Sequence, residues 1–185
     1  MTVAEFLAWD APQGAMWQLV DGEPQAMAPA NRTHGAIQAE LAGLIGNHLV
    51  ARGGPCSVIT TPGIVPRVRA DRNFRIPDLA VTCTGYQQEE YSLSGAVLVI
   101  EILSPSNQAE TWTNVWAYTT IPSVQEILVV RSATIGAELL RRGTDGNWPE
   151  QAEQLTEGLL ELDSIGFKTA LTDLYRTTRL STPAP

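Results

Sequence analysis

The chain has 185 residues, enough for one domain with a substantial core and too few for two of ordinary size. Its net charge of −8 and pI of about 4.7 argue against broad, sequence-blind attraction to nucleic acid, which normally rests on lysine and arginine. No apolar run approaches the roughly 18 residues of a membrane span, and the first ten residues do not resemble a signal peptide. We therefore expect a cytoplasmic protein in which Cys56 and Cys83, which form no CxxC pair, are ordinary reduced thiols rather than a disulfide.

The N-terminal part of the sequence predicts two helices with a β-hairpin between them. Residues 2–9 fit a short helix in which Thr2 is the N-cap and Glu5, three positions on, completes a capping box. An Asp-Gly pair at 21–22 is typical of a hairpin turn. Residues 31–54 predict a long helix that ends at a Gly-Gly pair. Its apolar residues recur at helical spacing: Ile37, Leu41, Leu44, Ile45 and Leu49.

The remainder of the sequence alternates between strands and helices. Strands are expected at 57–69, 74–83, 95–103 and 124–130, a strand pair at 133–148, and helices at 109–118 and 163–178. The segment 95–103 is almost continuously apolar, which is typical of a central strand covered on both faces. This order predicts one α/β domain, residues 1–178, with a mixed β-sheet flanked by helices. Residues 179–185 and part of 85–95 are expected to be disordered.

Two carboxylates interrupt these apolar strands. Strand alternation places Asp78 on one face with Ala80 and Thr82. Glu101 shares its face with Val97, Val99 and Leu103. A lone acid in such a strand is costly to bury unless it is paired, hydrogen-bonded or bound to a metal.

If the two strands are neighbours, Asp78 and Glu101 converge on one Mg²⁺, and the backbone carbonyl of Ile102 supplies a further oxygen. The alternative is that Asp78 is a turn residue after Pro77 and that Glu101 reaches water at the end of its strand. Sequence spacing alone leaves both interpretations open, because an aspartate followed some 20 residues later by a glutamate is common by chance.

Other polar residues also carry two interpretations. Glu23 lies in the hairpin turn, where an acid is usually solvated. His34, near the start of the long helix, is either a proton carrier that supports a site or a capping and packing residue. His48 lies on the apolar face of that helix and is interpreted as structural. A basic cluster before Asp78 either contacts phosphates or decorates a strand and loop: Arg67, Arg69, Arg72 and Arg75. On a regular strand, Arg75 points away from the face of Asp78.

Five segments, in this order, resemble the Uma-two family of bacterial endonuclease-like proteins: WQLVDGE, THGAIQAEL, RIPDLAV, VLVIEILSPSN and YTTIPSVQEILVV. That family belongs to the restriction-endonuclease-like superfamily, whose signature is PD…(D/E)xK. The resemblance covers roughly residues 2–175 and implies a mixed β-sheet flanked by helices. It further implies a metal-dependent endonuclease that hydrolyses phosphodiester bonds in nucleic acid, often as a homodimer.

The resemblance also implies a set of site residues. Asp78 and Glu101 would bind Mg²⁺ or Mn²⁺ together with the Ile102 carbonyl, and the metal would activate a water for attack on the phosphodiester. Glu23 matches a recurrent acid in the DGE segment of the family and is a third candidate.

The motif lysine is missing from the two positions where it is expected. The position two residues after Glu101 is occupied by Leu103, and the position on the following helix, matched through Tyr118, is occupied by Asn114. Asn114 is able to orient a water, but it carries no charge, whereas a lysine stabilises the negative charge of the transition state. The one lysine of the chain, Lys168, has no sequence connection with the carboxylates.

Three functions remain open from the sequence. The first is the metal-dependent endonuclease. The second is a catalytically impaired member of the fold that acts as an interaction or nucleic-acid-associated module, in which Trp112, Trp116 and Tyr118 form either a partner surface or core packing. The third is a small-molecule hydrolase that uses the same carboxylates, which no sequence feature selects.

Overall fold

The computed structural model describes residues 1–85 and 90–181. The helices are α1 (Val3–Leu7), α2 (Arg32–Arg52) and α3 (Gln108–Tyr118). The strands are β1 (Trp17–Val20), β2 (Glu23–Ala26), β3 (Ser57–Thr60), β4 (Leu79–Thr82), β5 (Ala96–Leu103), β6 (Glu126–Arg131), β7 (Ala137–Arg141), β8 (Glu153–Leu155), β9 (Leu159–Leu162) and β10 (Phe167–Ala170). Short 3₁₀ helices occupy Asp163–Ile165, Leu171–Tyr175 and Arg179–Ser181.

A six-stranded mixed sheet, in the order β3-β4-β5-β6-β7-β8, forms the centre of the fold. β5 pairs with β4 in the antiparallel sense and with β6 in the parallel sense. Parallel neighbours require a crossover connection, and α3 provides it between β5 and β6. The β4–β5 register pairs Leu79 with Ile100, so Asp78, one residue before β4, comes opposite Glu101. The sheet itself thus brings the two acids of the sequence motif to one place.

Apolar side chains cover both faces of this sheet, as expected for β5. On one face, α2 and the C-terminal residues bury a core that includes Ile37, Leu41, Ile45, Leu98, Ile100, Ile102, Phe167, Leu174 and Tyr175. On the other face, α3 buries a second core that includes Ala80, Val99, Leu103, Val115, Tyr118 and Val129. Glu101 lies between Val99 and Leu103 in the alternation of β5, so its side chain projects toward the α3 face. Within the described ranges, no helix is long and apolar enough to cross a membrane.

Local sequence signals fix the N-terminal elements as predicted. Thr2 and Glu5 form a complete capping box at the start of α1. The hairpin turn has positive φ at both Asp21 and Gly22, which the Asp-Gly pair tolerates. α2 begins after Asn31, whose side chain accepts a hydrogen bond from the His34 N–H, and it ends at Gly53, where φ is 71°.

The prediction of a C-terminal helix at 163–178 is wrong. Gly166 adopts the left-handed conformation (φ 62°), which ends the preceding 3₁₀ turn, and the chain then returns antiparallel as a β9–β10 hairpin. The apolar spacing that suggests a helix instead serves the strand and the next 3₁₀ turn. The tail predicted at 179–185 begins with the 3₁₀ turn Arg179–Ser181, and its residues 182–185 lie outside the described part of the chain.

Two strand predictions also require correction. The segments 57–69 and 74–83 form regular strands only at β3 and β4, and between them isolated bridges hold the chain. A register shift between Val81 and Thr82 leaves Val97 unpaired in β5, so Val97 packs on the α2 face rather than with Glu101. In the loop predicted within 85–95, residues 86–89 lie outside the described ranges.

The expectation of two reduced thiols is likewise wrong, because Cys56 and Cys83 form a disulfide. The β3–β4 register pairs Ser57 with Thr82, so the two cysteines lie opposite each other one residue further along the antiparallel pair. Nothing in the sequence indicates this proximity, since the residues are 27 positions apart and no CxxC spacing connects them.

Candidate active site

Asp78 and Glu101 line one cleft of about 360 Å³ at the junction of β4, β5 and α3. Asp78 Oδ2 accepts a hydrogen bond of 2.6 Å from the Ile102 N–H. Glu101 Oε1 accepts one of 2.9 Å from the Tyr118 hydroxyl, and the Glu101 side chain is almost fully buried. The two carboxylates are therefore held in place by the sheet backbone and by α3, and neither depends on a flexible loop.

The electrostatics of this pair are unfavourable without a cation. Burial raises the pKa of the Glu101 carboxyl well above its ordinary value, and the neighbouring Asp78 carboxylate raises it further. Burial also raises the pKa of Tyr118, and the charge of Glu101 adds to that effect, so Tyr118 remains a hydrogen-bond donor. Two adjacent acids that share a buried site are the arrangement that a divalent cation relieves.

α2 supports Asp78 from the opposite side. The His34 imidazole Nε2 lies 2.7 Å from Asp78 Oδ1. One helical turn later, the Gln38 side chain donates a 2.9 Å hydrogen bond to the Asp78 backbone carbonyl. Residues four apart lie on the same face of a helix, so α2 presents both groups to a single residue of the sheet. Of the two interpretations of His34, the geometry favours the group that supports a site.

α3 presents Glu110, Asn114 and Tyr118 at intervals of four residues, hence on one face. Glu110 Oε1 accepts a 2.9 Å hydrogen bond from the Gln18 side chain of β1. Asn114 lines the cleft, and its Oδ1 accepts a 2.7 Å hydrogen bond from Arg75 Nη1. The position at which the resemblance expects a lysine is thus occupied by an amide that is bonded to an arginine.

Arg75 is buried, with an exposed fraction of 4%. Its Nη2 donates a 2.9 Å hydrogen bond to Asn73 Oδ1, and Asn73 in turn donates one of 3.1 Å to Asp21 Oδ1 in the hairpin turn. Burial lowers the pKa of the Arg75 guanidinium, against the opposing effect of the nearby acidic groups. An arginine still stays protonated, so a fixed positive charge lies beside the cleft.

The expectation that Arg75 points away from Asp78 applies only to a regular strand, and the chain between these two residues is not one. Arg75 forms an isolated bridge with Ile64, and regular pairing resumes only at Leu79. Alternation therefore cannot be carried from position 75 to position 78. The other three arginines of the basic cluster are exposed: Arg67, Arg69 and Arg72.

Three residues discussed in the sequence analysis lie outside the cleft: Glu23, Lys168 and His48. Glu23 is exposed at the start of β2 and is not among the residues that line the cleft, whereas Gln18 of β1 is. Lys168 lies on β10, where it pairs with Glu161 at 3.0 Å. His48 Nε2 lies 3.0 Å from the Ile165 carbonyl and its ring packs edge-on against Phe167, in keeping with a structural role.

Gln18 is the cleft residue that the sequence reading missed. Its exposed fraction is 1%, and its Oε1 has no hydrogen-bond partner within the described part of the chain. The sequence signal for it is a polar side chain within the short apolar strand WQLV. A buried polar group is unusual unless it has a structural or functional role.

The donor set of the cleft fits a hard cation. Within residues 1–85 and 90–181, no group of three or more His, Cys, Asp or Glu side chains is arranged to hold a metal. Mg²⁺, however, is commonly held by one or two carboxylates with waters and substrate oxygens. The N–H and C=O of a strand residue point toward the same neighbouring strand, so the Ile102 carbonyl is directed to the side of Asp78 as well.

The fold is found in a known protein structure. The crystal structure of a putative nuclease belonging to DUF820 from Anabaena variabilis ATCC 29413 matches with a TM-score of 0.76 at 18% identity, over 95% of this chain and 97% of that one. This likeness establishes the class of fold, a central mixed sheet flanked by helices, as predicted from the sequence. The family model Uma2, described as putative restriction endonuclease, matches residues 3–172. The chain therefore belongs to the Uma2 family.

A relative from Synechocystis sp., the uncharacterized protein slr1290, is 30% identical over 174 residues, which cover 93% of this chain and 90% of that protein. The match spans nearly all of both chains, so the likeness extends over the whole domain. The family predicted from the five sequence segments is confirmed.

Proposed function

We propose that this protein is a divalent-metal-dependent endonuclease that hydrolyses phosphodiester bonds in nucleic acid. One observation carries the proposal: a buried glutamate lies opposite an aspartate across two adjacent strands, in a cleft. Membership of the Uma2 family supports nucleic acid as the substrate.

The metal would be held by the carboxylates of Asp78 and Glu101 and by the Ile102 carbonyl. When bound, Mg²⁺ or Mn²⁺ supplies Lewis-acid stabilisation of phosphate charge and lowers the pKa of a coordinated water. His34 and the Ile102 N–H fix both oxygens of Asp78, and Tyr118 fixes Glu101. Asn114 orients a water or a phosphate oxygen through its amide. Glu23 is left outside this set because it is exposed and is not among the residues that line the cleft.

A second candidate has a specific observation in its favour. Leu103 is buried in the apolar core, and Asn114 is neutral, so the two positions expected for the motif lysine carry no charge. A member of the fold without catalysis, acting as an interaction or nucleic-acid-associated module, would share these features.

The test is cleavage of supercoiled plasmid and of short single- and double-stranded DNA and RNA, with Mg²⁺ and Mn²⁺ titrated. Asp78→Asn and Glu101→Gln are expected to lower the rate by at least about 100-fold. The matched control is Glu157→Gln, which makes the same change in charge at an exposed acid. Cleavage that survives both site substitutions contradicts the site, and metal-dependent binding without cleavage by the unaltered protein favours the second candidate.

A further inference from the structure

A buried cation that no carboxylate neutralises directly, Arg75, lies beside the cleft. Arg75 makes its two hydrogen bonds to neutral amides, those of Asn114 and Asn73. Within the described residues it forms no ion pair, and its Nε has no acceptor. A buried charge is costly, and a purely structural arginine is normally paired with an acid. The positive charge of Arg75 therefore interacts electrostatically with nearby acids, which include Glu101 and Glu110.

The hydrogen bond from Arg75 also fixes the orientation of the Asn114 amide. A guanidinium has donors and no acceptor, so the atom of Asn114 that faces it must be Oδ1. The Nδ2 group is consequently turned the other way and has no acceptor among the described residues. Since Asn114 lines the cleft, this N–H₂ is available to a ligand there. An amide polarised by a bonded cation is a stronger donor than a free one.

We infer that Arg75 and Asn114 act as one unit in place of the missing lysine: Asn114 Nδ2 donates a hydrogen bond to a phosphate oxygen of the substrate, and Arg75 positions and polarises that amide. This inference rests on the proposed function, because it names the group that meets the phosphate in the same cleft. Asn114 touches the substrate, whereas Arg75 is a positioning residue that acts through it.

A structural role for Arg75 predicts different behaviour. The hydrogen-bonded chain from Asp21 through Asn73 and Arg75 to Asn114 connects the hairpin turn with α3. If this connection were its whole purpose, any partner at position 114 that preserves the Arg75 bond would preserve function.

Asn114→Asp separates the two roles. The aspartate has the same shape and keeps the bond to Arg75 as an ion pair, so the thermal midpoint should be unchanged or higher. It also cancels the charge of Arg75 and replaces a donor with an acceptor. We expect kcat to fall by about 100-fold and the Kd for a 12-nucleotide DNA, measured by fluorescence anisotropy with Ca²⁺, to rise by about tenfold. The control is Asn47→Asp, the same change on the exposed surface of α2.

A second experiment moves the positive charge from position 75 to position 114. Arg75→Met should lose most of the activity, and Arg75→Met/Asn114→Lys should recover it to within about tenfold, because the lysine restores a cation on α3. Arg179→Met is the control, since Arg179 is exposed and does not line the cleft. If Arg75→Met is unfolded, the Asn114→Asp result decides alone.

Each outcome has a defined meaning. Unchanged kcat and Kd in Asn114→Asp overturn the inference and leave the endonuclease intact. If the unaltered protein binds the oligonucleotide but does not cleave it, the proposed function fails, and the weakened binding of Asn114→Asp still supports the Arg75–Asn114 unit. If the unaltered protein neither cleaves nor binds, both are overturned.

Discussion

His34 is the residue through which α2 reaches the acid pair. Its Nε2 lies 2.7 Å from Asp78 Oδ1 and fixes the orientation of that carboxylate. Groups that orient a metal ligand typically contribute 10- to 100-fold to affinity. We expect His34→Ala to weaken Mn²⁺ binding by about that factor in isothermal titration calorimetry, with the fold retained. His48→Gln, far from the cleft, should leave Mn²⁺ affinity unchanged, and equal affinities for all three proteins would refute the role.

The buried hydroxyl of Tyr175 should make the stability of the protein depend on pH, by a mechanism that does not involve the cleft. Burial raises the pKa of its hydroxyl to about 12, and the single hydroxyl proton is shared between the carbonyls of Arg131 and Gly136, both within hydrogen-bond distance. The unfolded chain releases this proton near pH 10, whereas the folded protein keeps it. The stabilisation from Tyr175 is therefore complete below about pH 10 and declines as the pH rises through about 12, by up to about 3 kcal/mol.

Tyr175→Phe should be less stable than the unaltered protein at neutral pH, because the buried carbonyls lose their donor. Its stability should fall less steeply between pH 10 and 12 in urea unfolding. Parallel pH profiles for the two proteins would show that Tyr175 does not titrate as described.

The sequence identified the two acids, whereas for Arg75 it indicated only membership of a basic cluster with two open interpretations. Asp78 and Glu101 were recognisable because an ionised side chain in a buried strand requires a physical reason. The surroundings of Arg75 were not predictable, because alternation applies only along regular strands and these surroundings depend on an isolated bridge and on an amide 39 residues away. Glu23 was predicted from the resemblance, but the hairpin that carries it directs a different side chain into the cleft.

At the scale of elements, the Cys56–Cys83 disulfide joins the ends of β3 and β4. It closes a loop of 27 residues, and loop-closure entropy predicts about 3–4 kcal/mol of stabilisation. We expect Cys56→Ser/Cys83→Ser to lower the free energy of unfolding by about that amount in urea titrations. Reduction of the unaltered protein should have a similar effect and should leave the double variant unchanged. Identical stability with and without reductant would contradict the prediction.

The elements that the sequence predicted well are those with a local cause. α1 and α2 have caps, the first hairpin has its Asp-Gly turn, and β5 is apolar on both faces. The helix prediction for the C-terminal segment was wrong because the apolar spacing there suits a helix, whereas Gly166 and the pairing with β9 produce a strand. Such long-range pairing leaves little trace in one short window of sequence.

For the whole molecule, metal binding should appear as thermal stabilisation. A ligand that binds only the folded state stabilises it by about 2.7 kcal/mol at 100 times its Kd. Relief of the repulsion at Glu101 is the physical source here. We expect saturating Mn²⁺ to raise the thermal midpoint of the unaltered protein, and chelation with EDTA to reverse the shift. Asp78→Asn should show no such shift, whereas Glu157→Gln should respond fully; equal shifts in both variants would place the ion elsewhere.

Because α3 forms the crossover between β5 and β6, the residues around the acid pair can change while the sheet does not. The acid pair is built into the sheet, where moving either residue would disrupt the core. The positive charge is that of Arg75, in the segment before β4, and α3 contributes the neutral Asn114 that is hydrogen-bonded to it. If the Arg75–Asn114 unit acts as inferred, an arginine-supported amide takes the place of a lysine while the sheet stays as it is. The basic group is then the replaceable part of the proposed site.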